Sequence, residues 1–215
     1  MLNIRSFTFN PFQENTYILY DDTKECIIID PGCYEDTEKK ELADFIEKQG
    51  LNPRRLINTH CHIDHILGNC FIAEKYGLEL EINELELPVL QNAPMAAQLF
   101  GIPYSELSPD PAKFIREGDI VEFGNSKLDV LFTPGHSPGH IVLVNKEHKF
   151  VIAGDVLFYG SIGRTDLPWG DYNTLISSIK EKLFPLGDDF RVYPGHGPVT
   201  NIGFEREHNP FLQQF

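Results

Sequence analysis

A histidine-rich run constrains this sequence more than any other feature. Three histidines and one carboxylate occupy six positions directly after a predicted strand, in the run Thr59-His60-Cys61-His62-Ile63-Asp64-His65. In an extended segment, side chains two positions apart point the same way. We therefore predict that His60 and His62 share one metal ion, and that Asp64 and His65 begin a second site beside it. Imidazole and carboxylate are ligands of zinc, and also of iron and manganese.

Two metal sites need more ligands than this run supplies. Three further candidates each follow a predicted strand and a glycine, namely His136, Asp155 and His196. Glycine lets the backbone turn sharply at a sheet edge, where loops on a rigid scaffold commonly hold metal and catalytic groups. A lone histidine is more often structural, but five of the eight histidines, with two aspartates, occupy such positions. Together they predict a metal centre.

The apolar pattern predicts strands followed by helices, in two rounds. Alternation and short apolar runs predict strands at 4–9, 16–20, 26–29, 55–58, near 80, and at 120–123, 128–132, 141–144, 150–153 and 191–193. Helical periodicity predicts helices over 38–49, 67–76 and 171–183, and one beginning near 83. Five prolines make 83–116 irregular, and we expect this segment to overhang the metal edge. The order fits an α/β fold of two sheets packed together, with helices outside.

Composition and charge argue against several functional classes. The chain has 18 Lys+Arg against 32 Asp+Glu, a net charge of −14, which disfavours non-specific nucleic-acid binding and adhesion to anionic membranes. Its apolar runs are too short for a transmembrane helix, and the first residues do not resemble a secretory signal. Four cysteines without a CxxC spacing predict reduced thiols. We therefore expect a cytoplasmic protein without nucleic-acid or membrane partners.

The ordered set of histidines and aspartates resembles that of the metallo-β-lactamase-fold hydrolases. Four stretches are similar to the short, single-domain hydrolases related to type II glyoxalase (hydroxyacylglutathione hydrolase): Thr133-Pro-Gly-His-Ser-Pro-Gly-His140, Ala153-Gly-Asp155, Gly163-Arg-Thr-Asp-Leu-Pro168 and Tyr193-Pro-Gly-His-Gly-Pro198. The resemblance runs over essentially the whole chain. It implies one domain over 1–215, a four-layer αβ/βα sandwich of two mixed sheets, without a separate C-terminal helical domain.

The resemblance also implies a ligand assignment. One metal ion would be held by His60, His62 and His136. A second would be held by Asp64, His65 and His196, and Asp155 would bridge the two. Asp30, at the end of the third predicted strand, is similar to a family carboxylate that steadies the histidine loop. A plain turn before Pro31 and Gly32 explains Asp30 equally well.

Such a centre implies hydrolysis of a small-molecule thioester or related ester. Two divalent ions about 3.5–4 Å apart can hold a water molecule between them and lower its pKa from ~16 towards ~7. Asp64 would be the catalytic residue, because it could both ligate a metal and orient the bridging hydroxide. Zinc is the favoured metal, with iron or manganese as alternatives. The oligomeric state is left open.

The match to type II glyoxalase weakens just beyond Asp155. The lysine and tyrosine with which that family contacts glutathione are replaced by the stretch Tyr159-Gly-Ser-Ile-Gly-Arg164. The resemblance therefore implies thioester hydrolysis without specifying glutathione. Tyr159 and Arg164 are candidate substrate-binding residues, although an ion pair with Asp166 is the favoured explanation of Arg164.

Two other residues in these motifs are expected to have structural roles. Cys61 stands between two predicted ligands, and we expect it to fill a packing position. His140 ends a predicted ligand loop, and we expect it to form hydrogen bonds within that loop and not to bind metal.

The strongest alternative is a persulfide dioxygenase of the same fold. The chain also resembles those enzymes in its His-Cys-His-x-Asp-His and Gly-Arg-Thr-Asp stretches. That reading implies one iron held by His60, His136 and Asp155. The form of the loop ending at His140 and the stretch 159–168 favour the hydrolase. A β-lactamase would need export, a nuclease would need a basic surface, and a non-catalytic scaffold would be expected to have lost a ligand.

Overall fold

The structure, a computed structural model, describes residues 1–213. The chain divides into two compact units. The first contains Met1–Ile115 and Glu122–Lys127, and the second contains Arg116–Val121 and the residues from Leu128 onward. Residues 214 and 215 of the predicted domain lie outside the described residues, and the single domain over 1–215 stays a prediction.

The first six-stranded sheet belongs to the first unit and joins antiparallel to parallel pairing. Its strands, in sheet order, are β1 (Asn3–Phe9), β2 (Glu14–Tyr20), β3 (Glu25–Ile29), β4 (Asn52–Ile57), β5 (Leu80–Ile82) and β6 (Lys113–Phe114). The strands β1 to β3 are antiparallel, and β3 to β6 are parallel. Because β3 and β4 are parallel with Ile29 opposite Ile57, the residues that follow them emerge at the same edge.

Five α-helices and one 3₁₀ turn complete the first unit. They are α1 (Asp36–Gln49), α2 (Ile63–Ile66), α3 (Asn69–Tyr76), the 3₁₀ turn Glu84–Glu86, α4 (Leu87–Gln91) and α5 (Ala93–Phe100). The core between sheet and helices is aliphatic, with Ile28, Leu42, Leu56 and Ile66 fully buried. Burial of such side chains contributes about 1.5–3 kcal/mol each, so this core fixes the sheet edge that carries the histidine run.

The second six-stranded sheet repeats the mixed pattern. Its strands, in sheet order, are β14 (Thr200–Asn201), β13 (Arg191–Pro194), β10 (Phe150–Gly154), β9 (Ile141–Asn145), β8 (Ser126–Phe132) and β7 (Ile120–Phe123). The strands β8, β9 and β10 are antiparallel, whereas β10 and β13 are parallel. The residues that follow β10 and β13 therefore emerge together, and the Gly195 N–H donates to the Gly154 carbonyl at 2.7 Å.

Shorter elements cover the second unit. A two-stranded hairpin pairs β11 (Leu157–Phe158) with β12 (Ser161–Ile162). The helix α6 (Tyr172–Ser178) continues through a π-helical turn, Ile179–Leu183, and a 3₁₀ turn, Phe184–Leu186, and α7 (Ile202–His208) follows β14. Leu175, Ile179 and Leu183 are fully buried on one face, as the predicted helix over 171–183 requires.

The structure corrects the local reading of the histidine run. Only its first residues are non-helical, because α2 begins directly after His62 and places Asp64 and His65 in its first turn. The helix predicted over 67–76 corresponds to α3, which begins at Asn69, and α2 precedes the predicted range. Helix α7 and the hairpin of β11 and β12 were not predicted. No helix within residues 1–213 combines the length and the apolar character needed to cross a membrane.

The close packing around Gly135 predicts a large loss of stability when this residue is replaced by alanine. Its φ is +130°, and a Cβ there would lie 2.2 Å from the Leu175 backbone nitrogen. Gly135→Ala should therefore lower the free energy of unfolding by about 2–5 kcal/mol, from backbone strain and overpacking together. Denaturant unfolding measures this. Gly77→Ala is the matched control, because Gly77 also has a positive φ but open space at its Cβ position, and about 1–2 kcal/mol is expected. Equal losses of unfolding free energy in the two variants would contradict the predicted clash between the added Cβ and the Leu175 backbone.

Asp21 predicts a pH dependence of stability. Burial raises the pKa of Asp21, but hydrogen bonds from Thr23, Ser126 and the Asn125 N–H outweigh burial and leave the pKa below its ordinary value. A carboxyl with a lowered folded-state pKa stabilises the fold above its unfolded-state pKa, ~3.9, and loses that contribution as the pH falls through the folded-state pKa.

Asp21→Asn should therefore cost about 1.5–3 kcal/mol at pH 7, the range for hydrogen bonds to a charged group. The difference from the unsubstituted protein should shrink below pH ~4. Urea unfolding at pH 7 and pH 3 measures both values. The exposed neighbour Asp22, substituted by Asn, is the control. A cost that does not change with pH would contradict the role of the charge.

Candidate metal centre

Asp30 ties the end of β3 to the histidine run. Its backbone is left-handed, with φ at +49°, a conformation that costs a non-glycine residue about 1–2 kcal/mol. Its buried carboxylate accepts hydrogen bonds from the Thr59 N–H at 2.7 Å and the Thr59 hydroxyl at 2.6 Å. These charge-assisted bonds offset the strain. The Asp30 carboxylate thus contacts the residue that precedes His60, and its role as a support of metal ligands stays a prediction.

The hydrogen bonds around Thr59 and Asp30 identify the nitrogens that can bind metal. Because the Thr59 hydroxyl donates to Asp30, it accepts from His60 Nδ1 at 3.1 Å. His60 therefore keeps its lone pair on Nε2. His65 follows the same rule, because its Nδ1 lies 3.2 Å from Asp30 Oδ2 and its Nε2 faces the Asp64 carboxylate at 3.7 Å. A carboxylate behind the ring is the usual support of a metal-binding histidine.

Imidazole rings converge in this half of the predicted centre. The ring centroids of His60 and His62 are 4.8 Å apart, and those of His60 and His65 are 4.1 Å apart. His60 and His65 are fully buried, and His62 is half-buried. One ligand atom from each of Asp30, His60 and His65 lies within 4.8 Å of the others. Since the Asp30 oxygens accept hydrogen bonds from Thr59, the histidines are the better ligand candidates.

The second unit gathers His136, Asp155 and His196 around one carboxylate oxygen. His136 Nδ1 donates to the Arg164 carbonyl at 2.7 Å, so its lone pair is on Nε2. His136 Nε2 and His196 Nε2 each lie 3.5 Å from Asp155 Oδ2. Gly163 makes this arrangement possible, because a Cβ there would lie 1.9 Å from the Asp155 carbonyl oxygen.

These distances and donor types fit a divalent metal ion. Separations of 3.5–3.7 Å between imidazole and carboxylate atoms are too long for hydrogen bonds. Two ligands bonded at ~2.0–2.2 Å to a tetrahedral ion lie about 3.3–3.5 Å apart. The nitrogen and oxygen donors suit zinc, iron and manganese. The full ligand assignment stays a prediction.

His140 supports Asp155, a role that the sequence did not reveal. It is fully buried, its Nε2 accepts the Asp155 N–H at 3.0 Å, and its Nδ1 lies 3.3 Å from the Thr133 hydroxyl. The contact to Thr133 was expected within the loop. The contact to Asp155 joins two loops that are distant in sequence, and only the pairing of the intervening strands brings them together.

Cys61 fills the packing position expected of it. It is buried in the core of the first unit, and its N–H donates to Glu86. Burial, followed by the negative charges of Glu86 and Asp30, raises the pKa of the Cys61 thiol well above its ordinary value. The side chain is therefore a neutral thiol. All four cysteines are free.

The two candidate substrate-binding residues lie at the surface of the second unit. Arg164 forms two hydrogen bonds with Asp166, at 2.7 and 2.8 Å, and this contact lowers the pKa of Asp166 to about 2. Tyr159 is 55% exposed and stacks on Phe204 at 5.0 Å. The ion pair favoured for Arg164 is present, and substrate binding by either residue stays a prediction.

The irregular segment 83–116 borders the helix that carries Asp64 and His65. Its helix α5 packs against α2. Farther along the segment, the Ser108 hydroxyl donates to the Ile66 carbonyl at 3.3 Å and accepts from Asn69. The predicted overhang above a metal edge stays a prediction, but the segment supports the predicted ligand helix directly.

Comparison with known families identifies the class of protein. A model of the metallo-beta-lactamase superfamily matches residues 9–196, which include all seven predicted ligands and Asp30. The chain belongs to the metallo-β-lactamase superfamily. The family resemblance seen in the sequence is thereby confirmed.

Two bacterial relatives match over 98% of both chains. One, at 41% identity over 212 residues, is the hydroxyacylglutathione hydrolase GloC of Haemophilus influenzae. The other, at 39% identity over 214 residues, is the probable metallo-hydrolase YqgX of Bacillus subtilis. This member of the metallo-β-lactamase superfamily is therefore an enzyme of the metallo-hydrolase class.

Solved structures confirm the predicted α/β fold class with two mixed sheets. The B3 metallo-beta-lactamase BLEG-1 matches 98% of this chain and 100% of its own, at 34% identity and a TM-score of 0.89. TTHA1623 in a di-iron-bound form matches 97% and 100%, at 36% identity and 0.87. ETHE1 from Myxococcus xanthus matches 97% and 83%, at 26% identity and 0.78.

Asp30 predicts a measurable effect on metal affinity. Asp30→Asn keeps the size of the side chain but replaces one acceptor oxygen by an NH₂ group, which would oppose a Thr59 donor. Zinc affinity should fall about 10–100-fold, as when other supports of metal ligands are removed. Competition with a chromophoric chelator measures this. Asp44→Asn, on the exposed face of α1, should leave the affinity unchanged. An unchanged affinity in Asp30→Asn would contradict the support of His65.

Proposed function

We propose that this metallo-hydrolase binds two divalent metal ions, zinc in the first place, and cleaves a thioester or related ester of a small molecule. One observation carries the proposal. A single oxygen, Asp155 Oδ2, is equidistant, at 3.5 Å, from His136 Nε2 and His196 Nε2. Each histidine lies at the separation of two ligands of one ion, so Asp155 would be placed to hold both ions if the two histidines bind different ions, as the family pattern assigns them.

The remaining ligands follow the family pattern. We assign His60, His62 and His136 to one ion, and Asp64, His65 and His196 to the other. This assignment takes ligands from both compact units. The proposal therefore includes the prediction that residues 1–215 function as a single domain. The Nε2 atoms of His60, His65 and His136 support it, because the Nδ1 atom of each faces a protein oxygen.

The reaction needs an activated water and a stabilised oxyanion. Two bound divalent ions would lower the pKa of water towards neutrality and polarise the substrate carbonyl. Asp64 would be the catalytic residue, because its carboxylate would accept a hydrogen bond from the attacking water and orient it. The Asn10 amide donates to the Asp64 carbonyl at 2.9 Å, which fixes the backbone of this residue. The leaving thiolate, with a thiol pKa of ~8.5, departs without a strong acid.

The charge of the site complements an anionic substrate. The whole chain has a net charge of −14. Two ions would add four positive charges and the two ligand aspartates would remove two, so positive charge would be left on the open side of the ligand shell, while the carboxyl groups of Asp30 and Glu14 lie behind His65. Such a local field attracts an anionic acyl compound at short range.

Two observations support the thioester class and the choice of hydrolase. The relative at 41% identity is named a hydroxyacylglutathione hydrolase. In the dioxygenase alternative, one iron is held by His60, His136 and Asp155, which leaves His196 without a metal role. The equal distances from Asp155 to both histidines favour the hydrolase. The cytoplasmic location and the lack of nucleic-acid and membrane partners stay predictions.

The proposal predicts both metal content and turnover. Protein purified without added metal should hold about two divalent ions per chain and hydrolyse S-D-lactoylglutathione. Asp155→Asn should lose one ion, and its kcat/KM should fall by at least the ~10²–10³-fold that follows removal of one electrostatic stabiliser. Elemental analysis and thiol release measure the two results. Asp129→Asn, which removes a surface ion pair with Lys146, is the control.

Other outcomes would contradict separate parts of the proposal. One iron per chain, with oxygen uptake on glutathione persulfide and without thioester cleavage, would support the dioxygenase. Two ions without cleavage of any thioester or ester would reject the substrate class and retain the dinuclear centre.

A further inference from the structure

Glu14 is a buried acid to which neither the motifs nor the comparisons give a role. It is the first residue of β2 and is fully buried. Burial of a carboxyl group is costly unless hydrogen bonds or charges compensate it. One oxygen, Oε2, accepts the Thr16 hydroxyl at 2.9 Å. The other, Oε1, has no hydrogen-bond partner within residues 1–213.

The uncommitted oxygen of Glu14 faces a predicted metal ligand. Glu14 Oε1 lies 3.9 Å from His65 Nδ1, the same nitrogen that lies 3.2 Å from Asp30 Oδ2. Two carboxyl groups therefore meet at one edge of the His65 ring. Both oxygens of Asp30 already accept hydrogen bonds from Thr59, whereas only one oxygen of Glu14 accepts a hydrogen bond within residues 1–213. Glu14 is the less committed of the two groups.

The surrounding residues hold the Glu14 carboxyl group in this orientation. The Gly32 N–H donates to the Thr16 hydroxyl at 2.9 Å, and that hydroxyl donates to Glu14 Oε2. Gly32 also leaves the necessary space, because a Cβ there would lie 2.1 Å from Glu14 Oε2. The backbone after β3 thus fixes one oxygen of Glu14 and directs the other towards His65.

A hydrogen-bonded bridge adds to the same arrangement. The Asn10 side chain donates to the Gly32 carbonyl at 3.0 Å and to the Asp64 carbonyl at 2.9 Å. The Gly32 backbone, which orients Glu14 through Thr16, is therefore connected to the first turn of α2, where both Asp64 and His65 lie. Glu14, Asp64 and His65 therefore belong to one connected cluster of the first unit.

We propose that Glu14 is a positioning residue for His65. Together with Asp30 it fixes the ring, because both carboxyl groups face Nδ1 and Nε2 is thereby presented to metal. The inference rests on the proposed function for the presence of metal. It goes further in predicting that Glu14 acts on one ion, the one assigned to Asp64, His65 and His196, and not on the other.

Stepwise metal affinity tests this role. Glu14→Gln keeps the shape but can place an NH₂ group opposite the Nδ1–H of His65. One of the two zinc dissociation constants should rise about 10–100-fold, and the other should stay within about twofold. Chelator competition measures both constants. The cobalt(II)-loaded variant should show a shifted absorption band, because the ligand field of one ion changes. Thr16→Val removes the hydroxyl that orients Glu14 and should give a smaller rise in the same constant.

Glu205→Gln is the matched control for burial. Glu205 is also a fully buried carboxyl group, and it accepts hydrogen bonds from Thr200, Gly160 and Asn209. This variant should lose thermal stability without a change in either zinc constant or in the cobalt spectrum. Thermal unfolding of all metal-free variants separates the loss of stability from the loss of affinity.

Three results would overturn the positioning role. Unchanged zinc constants in Glu14→Gln, with lower stability, would make Glu14 a structural residue only. Equal rises of the two zinc dissociation constants would mean that Glu14→Gln affects the whole fold and not His65 in particular. If the unsubstituted protein binds a single ion, the proposed dinuclear centre is wrong. In that case, an unchanged zinc dissociation constant in Glu14→Gln would also reject the positioning role.

Discussion

The first half of the predicted metal centre depends on the carboxylate of Asp30. Parallel pairing of β3 with β4 brings the end of one strand beside the beginning of the histidine run. Asp30 uses that proximity to hold Thr59 and, through it, His60, while one oxygen also faces His65. The left-handed backbone of Asp30 is tolerated because these charge-assisted contacts compensate it. Strand order, backbone strain and ligand orientation therefore all depend on the contacts of this one carboxylate.

The second unit reaches the same result by different contacts. The parallel pair of β10 and β13 places Asp155 and His196 at one edge, and His140 and the Arg164 carbonyl orient Asp155 and His136. In each unit a protein oxygen faces Nδ1 of one histidine, His65 or His136, and Nε2 of that ring faces a carboxylate. Preorganised ligands of this kind reduce the reorganisation that metal binding requires.

Sequence alone predicted what depends on local pattern and missed what depends on distant contacts. The strand-end positions of His136, Asp155 and His196 were visible because each follows an apolar run and a glycine, and the superfamily and fold class were confirmed. The short helix α2 cannot be predicted from the apolar pattern, because a helix of four residues is too short to show a helical periodicity. Glu14 and His140 carry no local sign of their contacts, since strand pairing alone brings them to His65 and Asp155.

The Asn10 side chain has a consequence for the assembly of the predicted ligand turn. One amide group joins the turn between β1 and β2 to carbonyl groups at Gly32 and Asp64, the latter 54 positions away in sequence. Contacts across such separations form slowly, because the loop between them must close first. The Asn10 bridge is therefore complete only when the β1–β2 turn, the backbone after β3 and the first turn of α2 lie together. A chain in which any one of these three segments is displaced lacks the bridge that holds the predicted ligand turn.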